Sequence, residues 1–228
     1  MKIGIICAGE RELAPFLDVL KKDRKISKSM LVFHEGEIDQ VSVVLVESGI
    51  CKVNAAIASQ ILIDTFHVDL IINAGTAGAM DQSLKILDTV IATDLCYHDV
   101  AVDILTESHP YMDSVFFKVD SSLIEKAKKA VLNERIENVF LGRIVTGEAF
   151  ISEDGREKIN KEFAPLAVDM ESASVAHVCY VNNVPFMVIR SITDTPVHSG
   201  LDNYEINCVK ASTMARDITV AVLKELNH

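Results

Sequence analysis

The sequence predicts an α/β fold built on a mixed, mostly parallel sheet. Short apolar segments typical of buried strands alternate with longer segments of helical spacing along all 228 residues. No internal repeat, low-complexity run or linker rich in proline and glycine interrupts this alternation. We therefore expect one domain over residues 1–228, long enough to bury a substantial core.

The strands are predicted from short apolar runs bounded by polar residues and glycines. The first is the opening segment KIGIICAGE, whose strand ends at Ala8–Gly9. The next two strands form an antiparallel hairpin, with the turn at His34–Glu37. After the first strand, the predicted strands cover Ser29–Glu35, Gln40–Glu47, Asp69–Ala74, Asp88–Thr93, Val139–Thr146, Ala167–Asp169 and Pro185–Ser191.

The helices are predicted from apolar residues that recur with the helical period. In the first helix, one face carries Leu13, Phe16, Leu17 and Leu20. The small residues Gly75–Ala79 are predicted to form a loop after a buried strand. The predicted helices cover Glu10–Leu20, Val53–Phe66, Leu123–Leu132, Glu153–Phe163, Met170–Val181 and Tyr204–Leu226.

The composition excludes several classes of function. The formal net charge of −11 and the pI of about 5.1 argue against binding to a nucleic-acid backbone. Mean hydropathy is +0.25, yet the apolar runs are too short to span a bilayer, so we expect no membrane partner. The five cysteines are scattered and the first residues carry no targeting signal, so we expect a cytoplasmic protein.

Candidate site residues lie where the strands are predicted to end. In α/β sheets, ligands bind beyond the carboxyl ends of the strands. This rule selects Ala8–Glu12, Gly75–Gly78, Thr146–Ile151, Met170–Glu171 and Ser191–Asp194. Catalytic chemistry is therefore expected among these five segments.

Three of the segments carry carboxylates that suit acid–base chemistry. Glu12, in the first turn of a helix, could act as a general base or could complement the helix dipole. Asp194, at the end of a buried strand, could be an acid of raised pKa or a turn residue. Glu171 could hold a diol through two hydroxyl hydrogen bonds, or could serve as negative charge at a helix N-terminus. Position alone leaves both interpretations open for each residue.

Two further segments could bind a flat, uncharged ligand. The run from Gly75 through Thr76 and Ala77 to Gly78 is neither a dinucleotide-binding nor a Walker motif. It favours close approach of the backbone to a ligand, and tight packing against a helix explains it equally well. Phe150–Ile151 could be an aromatic platform with a backbone edge, or ordinary core.

The histidines give no indication of a metal site. The seven histidines include no HxH or HExxH pattern, and the sequence has no GxSxG motif. The pair His98–Asp99 could suggest a catalytic dyad, although a structural or interfacial role is the simpler interpretation. We expect neither a metal ion nor a cofactor.

Several segments together resemble the 5′-methylthioadenosine/S-adenosylhomocysteine nucleosidases of the nucleoside phosphorylase superfamily. Each segment is weak alone, but they follow one another in order along nearly the whole chain. They are MKIGII with Glu12 following, ESGICKVNAA, DLIINAGTAGAM, YHDVAV, VTGEAFI, AVDMESASVAHVC, NNVPFMVIRSITD, and Tyr204 near the last helix. The resemblance implies a three-layer α/β/α sandwich around a mixed sheet, a homodimer, and a small-molecule adenine nucleoside as substrate.

The resemblance also implies the catalytic roles. Glu12 would position and deprotonate the attacking water, and Asp194 would protonate the adenine at N7. Glu171 would hold the ribose hydroxyls, with Met170 packed on the sugar, while Thr76 would lie near the sugar and Asp194. These roles suit the cleavage of an N-glycosidic bond, which passes through a cation-like sugar.

The remaining implied contacts surround the base and the 5′ substituent. Phe150 would stack on the adenine, and the backbone of Ile151 would bond to its edge. Tyr204 would cover the 5′ substituent, and Val102 would reach the site of the partner subunit. The homodimer would therefore be functional as well as structural.

The sequence departs from the family pattern at three places. Asp169 stands where glutamate is more usual, and Gly9 replaces a larger residue, often methionine. The segment Asp103–Ser114, which should help to shape the 5′ pocket, has little resemblance to the family. Substrate preference is the property that these departures affect most.

Three alternative functions follow from the same residues. A purine nucleoside phosphorylase would need cations for phosphate, and Lys2, Arg11 and Lys52 are the only basic residues near the early loops. Arg190, inside a strand, is expected to support Asp194 instead. A 6-amino-6-deoxyfutalosine hydrolase shares the chemistry, and a catalytically silent nucleoside-binding protein would need neither carboxylate of the acid–base pair.

Overall fold

The computed structural model describes residues 1–151, 153–198 and 200–227, in which ten strands form one sheet and seven helices pack around it. The strands are β1 (Lys2–Cys7), β2 (Lys21–Lys28), β3 (Leu31–Ile38), β4 (Val41–Glu47), β5 (Leu70–Ala79), β6 (Thr89–Tyr97), β7 (Phe117–Lys118), β8 (Val139–Thr146), β9 (Ala167–Asp169) and β10 (Phe186–Asp194). The helices are α1 (Glu10–Leu17), α2 (Lys52–Phe66), α3 (Val102–Glu107), α4 (Ser121–Asn133), α5 (Glu153–Phe163), α6 (Ser172–Asn182) and α7 (Leu201–Leu226).

The sheet follows the order β10-β6-β8-β9-β5-β1-β4-β3-β2, and β7 pairs with β6 beside this path. Because β10 also pairs with β5, the strands β5, β10, β6, β8 and β9 close into a ring. Of the ten strand pairings in the described residues, five are parallel and five antiparallel. The sheet is mixed, as predicted, but the prediction that it is mostly parallel is wrong.

Three parallel strands bring the predicted site segments together. β1 pairs in parallel with β5, and β5 pairs in parallel with β10. All three strands are buried almost throughout, in keeping with their continuous apolar sequence. Their carboxyl ends, at Cys7, Ala79 and Asp194, therefore lie at the same edge of the sheet.

Five of the helices pack in two groups. Helix α7 contacts both α1 and α4, and it lies along β5 and β10. Helix α2 packs on α6, and these two contact β1, β4 and β5. Within the described residues, the structure contains no helix that combines the length and the apolar character needed to cross a membrane.

The first predicted hairpin is present, but its turn is not at His34–Glu37. Those residues lie in β3, and the chain reverses at Asp39–Gln40, where φ is 49° and 67°. A two-residue turn with both φ values positive matches the twist of an antiparallel hairpin. The glycine that suggested the turn, Gly36, instead makes room for β2, because a Cβ there would lie 2.4 Å from the carbonyl oxygen of Lys21.

Three short or polar elements were not predicted, and one predicted loop is a strand. β2 is an exposed edge strand whose sequence KKDRKISK has no apolar alternation. β7 and α3 span only two and six residues. The predicted loop Gly75–Ala79 continues β5 without a break. Its glycines leave room for the side chains of Glu12, Arg190 and Asp194 beside the strand.

Candidate active site

A cavity of about 290 Å³ opens at the carboxyl ends of β1, β5, β9 and β10. Apolar atoms form most of its lining, and several carboxylates face it. Ten of the eleven residues predicted for the site line the cavity: Glu12, Thr76, Ala77, Gly78, Phe150, Ile151, Met170, Glu171, Asp194 and Tyr204. The other residue, Val102, begins α3 outside the cavity and is 56% exposed.

Glu12 is a buried carboxylate held by three donors. Its Oε1 accepts hydrogen bonds from the backbone N and the Oγ1 of Thr76, both at 2.7 Å. Its Oε2 accepts a hydrogen bond from the backbone N of Ala8 at 2.8 Å. Helix α1 begins two residues after Ala8, so this turn returns the carboxylate to the end of β1. The side chain therefore has one fixed orientation at the cavity wall.

Gly75 is required for that orientation. A Cβ at this position would lie 2.5 Å from Oε2 of Glu12 and 2.6 Å from Nη1 of Arg190. Both atoms belong to side chains that other bonds hold in place, so neither could easily move. Gly75, which was predicted to let the backbone approach a ligand, therefore leaves room for the carboxylate of Glu12.

Asp194 is the last residue of β10 and is 1% exposed. Its Oδ1 accepts a hydrogen bond from Thr193 Oγ1 at 3.0 Å, and its Oδ2 accepts one from Arg156 Nη2 at 3.1 Å. Burial raises the pKa of Asp194, and the bonds from Thr193 and Arg156 oppose that rise. Its environment thus differs from that of Glu12, whose Oε1 lies 3.9 Å from Nη1 of Arg190.

The expected contact of Asp194 with Arg190 is wrong. The guanidinium of Arg190 pairs with other carboxylates, and Arg156 pairs with Asp194 instead. The hydroxyl of Thr76 donates to Glu12, and Thr193 is the residue whose hydroxyl donates to Asp194. The alternation of side chains along β5 and β10 could not show which hydroxyl faces which carboxylate. The register between these two strands shifts between Ile192 and Asp194, so the alternation is interrupted at the site.

Arg190 is fully buried beneath the cavity and organises the remaining carboxylates. Its Nε donates to Asp169 Oδ2 at 2.9 Å, and its Nη2 donates to Glu171 Oε2 at 3.2 Å and to Asn73 Oδ1 at 2.7 Å. Its Nη1 lies 3.9 Å from Glu12 Oε1. One guanidinium therefore connects three acidic residues that come from three different elements.

Glu171 is held from a second side by α2. Its Oε1 accepts a hydrogen bond from the backbone N of Cys51 at 2.9 Å, just before that helix begins. Burial raises the pKa of Glu171 to about 7, and the charge of Arg190 opposes the rise. Asp169 bonds to Thr146, Ser172 and Arg190.

Sequence reasoning missed Arg156, the one basic side chain among the described residues that line the cavity. It lies in α5, where neighbouring charges are typical of a solvated helix face. The side chain is nevertheless buried, and a buried arginine has no sequence signature that separates it from exposed ones. Ile50 and Leu201 also line the cavity without having been selected.

The geometry suits a reaction that needs an acid and a base in one pocket. Glu12 and Asp194 stand in different environments, and such a difference is what lets two carboxyl groups in one site act as an acid and a base. The carboxylate of Glu171 and the aromatic ring of Phe150 supply a polar contact and a flat surface in the same cavity. Comparison with known proteins shows to which family the chain belongs.

The family model of the phosphorylase superfamily matches residues 2–224 of the chain. A 5′-methylthioadenosine/S-adenosylhomocysteine nucleosidase of Staphylococcus haemolyticus (strain JCSC1435) is 37% identical over 229 residues, covering 98% of this chain and 100% of the relative. The chain belongs to the family of 5′-methylthioadenosine/S-adenosylhomocysteine nucleosidases.

Solved structures agree in fold over nearly the whole chain. A nucleosidase of this name from S. pneumoniae, bound to the transition-state inhibitor MT-ImmA, superposes with a TM-score of 0.91 at 35% identity, covering 99% of this chain and 100% of the other. The futalosine hydrolase of Helicobacter pylori strain 26695 superposes with a TM-score of 0.90 at 29% identity, covering 99% and 98%. The fold is therefore shared by proteins named for different nucleosides.

Proposed function

We propose that the protein hydrolyses the N-glycosidic bond of 5′-methylthioadenosine and S-adenosylhomocysteine. The products are adenine and either methylthioribose or S-ribosylhomocysteine. The observation that carries this proposal is the pairing, in one cavity, of Asp194, whose pKa is raised by burial, with Glu12, held by three donors. The family membership of the chain supports the same reaction.

Asp194 is the acid of the proposed reaction. When the bond between the anomeric carbon and the base breaks, its electron pair moves to the adenine. A proton from Asp194 to N7 neutralises that charge and makes adenine a better leaving group. Burial keeps the carboxyl group protonated to higher pH than an exposed aspartate, which is the form that the step requires.

Glu12 is the base. The oxygen of a water molecule forms the new bond to the anomeric carbon, and the proton that this water loses passes to Glu12. The carboxylate also faces the sugar as positive charge develops on it, and so stabilises the transition state. Because three donors fix Glu12, this stabilisation needs no rearrangement during the reaction.

The other lining residues bind the two halves of the substrate. Glu171 accepts hydrogen bonds from the ribose hydroxyls, and Met170 packs on the sugar. Phe150 stacks on the adenine, and the backbone of Ile151 bonds to its edge. Tyr204 covers the 5′ substituent at the open side of the cavity. Thr76 contributes indirectly, because its hydroxyl holds Glu12.

Water suits this site better than phosphate. Arg156 is the only basic residue among the described residues that line the cavity, and it is bonded to Asp194. Arg190 is occupied by carboxylates beneath the cavity. A phosphate beside Glu12 would therefore meet negative charge without a free cation to bind it.

The activity is tested by measuring adenine release from 5′-methylthioadenosine with and without phosphate and by identifying the sugar product. We expect free methylthioribose at a rate that does not depend on phosphate. Strict phosphate dependence with a sugar 1-phosphate as product would contradict hydrolysis. If 6-amino-6-deoxyfutalosine is cleaved and the two thioether substrates are not, the reaction stands and the substrate assignment is wrong.

We also propose a homodimer formed through one apolar surface. Helices α2 and α6 pack together, and four of their apolar residues are between 44% and 69% exposed: Val53, Ile57, Tyr180 and Val181. Ile50, at the start of the same region, is exposed and lines the cavity. We propose that, when this α2/α6 surface is buried in a dimer, the exposed Val102 of the partner subunit reaches the cavity mouth.

The double variant with Val53→Asp and Ile57→Asp should be monomeric and should lose most of its activity. Two buried charges would oppose association, and the cavity would then lack its partner wall. Sedimentation velocity gives the mass, and adenine release gives the activity. Met30→Asp, on an exposed turn, is the matched control. A double variant that remains a dimer would place the interface elsewhere.

The remaining inferences concern organisation and location. We infer that the chain is one nucleosidase domain in a three-layer α/β/α arrangement, supported by the two separate helix groups that contact the sheet. A cytoplasmic location is supported by the five cysteines, all of which are free thiols. Recovery of adenine and a thioribose would suit a role in methionine salvage.

A further inference from the structure

Arg156 reaches the acid of the proposed reaction from helix α5. It is 5% exposed, and its Nη2 donates to Asp194 Oδ2 at 3.1 Å. Its Nη1 donates to the carbonyl oxygen of Ala79 and lies 3.7 Å from the sulfur of Met80. The guanidinium is thus anchored to the end of β5 while it contacts the carboxyl group at the end of β10.

The surroundings of Asp194 contain few other charges that could act on it. Thr193 donates a neutral hydrogen bond, and β5 presents the uncharged Gly78, where a Cβ would lie 3.1 Å from Asp194 Oδ2. The loop after β10 carries His198, which is exposed. The other ionisable side chains that line the cavity are Glu12, Asp169, Glu171 and Tyr204. Arg156 is the positive charge in direct contact with the acid.

We propose that Arg156 is a positioning residue for proton transfer, which orients Asp194 and stabilises the carboxylate that remains after the proton has left. This inference rests on the proposed role of Asp194 as the acid. The proton moves from Asp194 to the adenine, the electron pair of the broken bond stays on the base, and Arg156 keeps its own protons. The guanidinium therefore interacts more strongly with the transition state than with the neutral acid.

The same contact limits the pH range of the reaction. A positive charge beside a carboxyl group favours its ionised form, so Arg156 opposes the rise in the pKa of Asp194 that burial causes. Activity falls on the alkaline side as Asp194 loses its proton before substrate binds. Removal of the charge should raise the pKa of Asp194 and move this alkaline limb to higher pH, even as the reaction becomes slower.

The test is the pH dependence of kcat/KM for 5′-methylthioadenosine in Arg156→Met and Arg156→Lys. For Arg156→Met we expect a plateau about tenfold lower, part of the roughly 10²- to 10⁴-fold effect of a general acid, and an alkaline limb at higher pH. Arg156→Lys keeps the charge and should keep the limb near that of the unaltered protein. Arg143→Met removes another arginine that is paired with an aspartate, Asp94, but lies outside the cavity, and should change neither quantity.

A merely structural role would lower activity equally at every pH, and an unmoved limb in Arg156→Met would overturn the proposal. So would a limb that moves as far in Arg156→Lys as in Arg156→Met. If Arg156→Met does not fold, Arg156→Gln keeps a donor toward Ala79 and serves as the uncharged variant. A wrong assignment of Asp194 as the acid would be recognised separately, because Asp194→Asn would then keep the rate and the alkaline limb of the unaltered protein.

Discussion

Asp194→Asn is expected to lower kcat for adenine release by about 10²- to 10⁴-fold, while KM changes much less. The amide keeps the size of the side chain and can still accept the hydrogen bond from Thr193, but it cannot donate a proton to the leaving adenine. The measurement is steady-state kinetics on 5′-methylthioadenosine. Asp202→Asn, in the exposed first turn of α7, is the matched control.

A substrate with a better leaving group sharpens this experiment. A p-nitrophenyl glycoside of 5-methylthioribose releases a phenolate that needs no proton, so loss of the acid should matter little. Asp194→Asn should therefore cleave it at a rate near that of the unaltered protein. A variant that is impaired equally on both substrates would mean that Asp194 acts other than as a proton donor.

Glu12→Gln is expected to lower kcat by a similar factor, about 10²- to 10⁴-fold, on both kinds of substrate. Glutamine cannot accept the proton of the attacking water, and it removes negative charge beside the developing sugar cation. Its amide nitrogen would also face the backbone N of Ala8, so one of the three hydrogen bonds would be lost. Kinetics on the adenine and p-nitrophenyl substrates give the comparison.

Glu10→Gln is the control for this change, because Glu10 is exposed in the same turn of α1. It should retain normal rates on both substrates. Rescue of Glu12→Gln by the activated leaving group would contradict the assignment, since a base that acts on water is needed whichever group departs. The two substitutions therefore separate the acid from the base by their opposite responses to the leaving group.

The strands and the edge of the sheet that holds the site could be predicted because their signals are local. Apolar runs gave the parallel strands, and the rule that ligands bind at carboxyl ends of strands selected Glu12, Asp194 and Glu171. The polar strand β2 gave no such signal, because an exposed edge strand buries little apolar surface. Gly36 was taken for a turn because glycine allows both turns and close packing, and only the three-dimensional neighbours distinguish them.

The partners of the buried charges could not be predicted from the sequence. Arg190 was expected to support Asp194, four positions along the same strand, but it bonds to carboxylates brought by β9 and the start of α6. Arg156 lies 38 residues before the aspartate that it contacts. Such pairings depend on which side chains cross the end of the sheet, a property of the assembled fold rather than of any local pattern.

The cluster of acidic side chains around Arg190 serves the proposed reaction but lowers the stability of the unliganded protein. One buried positive charge faces three acidic side chains, Glu12, Asp169 and Glu171, so the carboxyl groups outnumber the cation that could pair with them. Burial raises the pKa of Glu171 from an ordinary 4.5 to about 7, so the folded protein binds this proton more tightly than the unfolded chain does. The resulting stabilisation of the fold is complete below pH 4.5 and is lost as the pH rises through 7. Neutral substitutions in the cluster can thus strengthen the fold while they abolish activity, and selection for thermal robustness alone would erode this site.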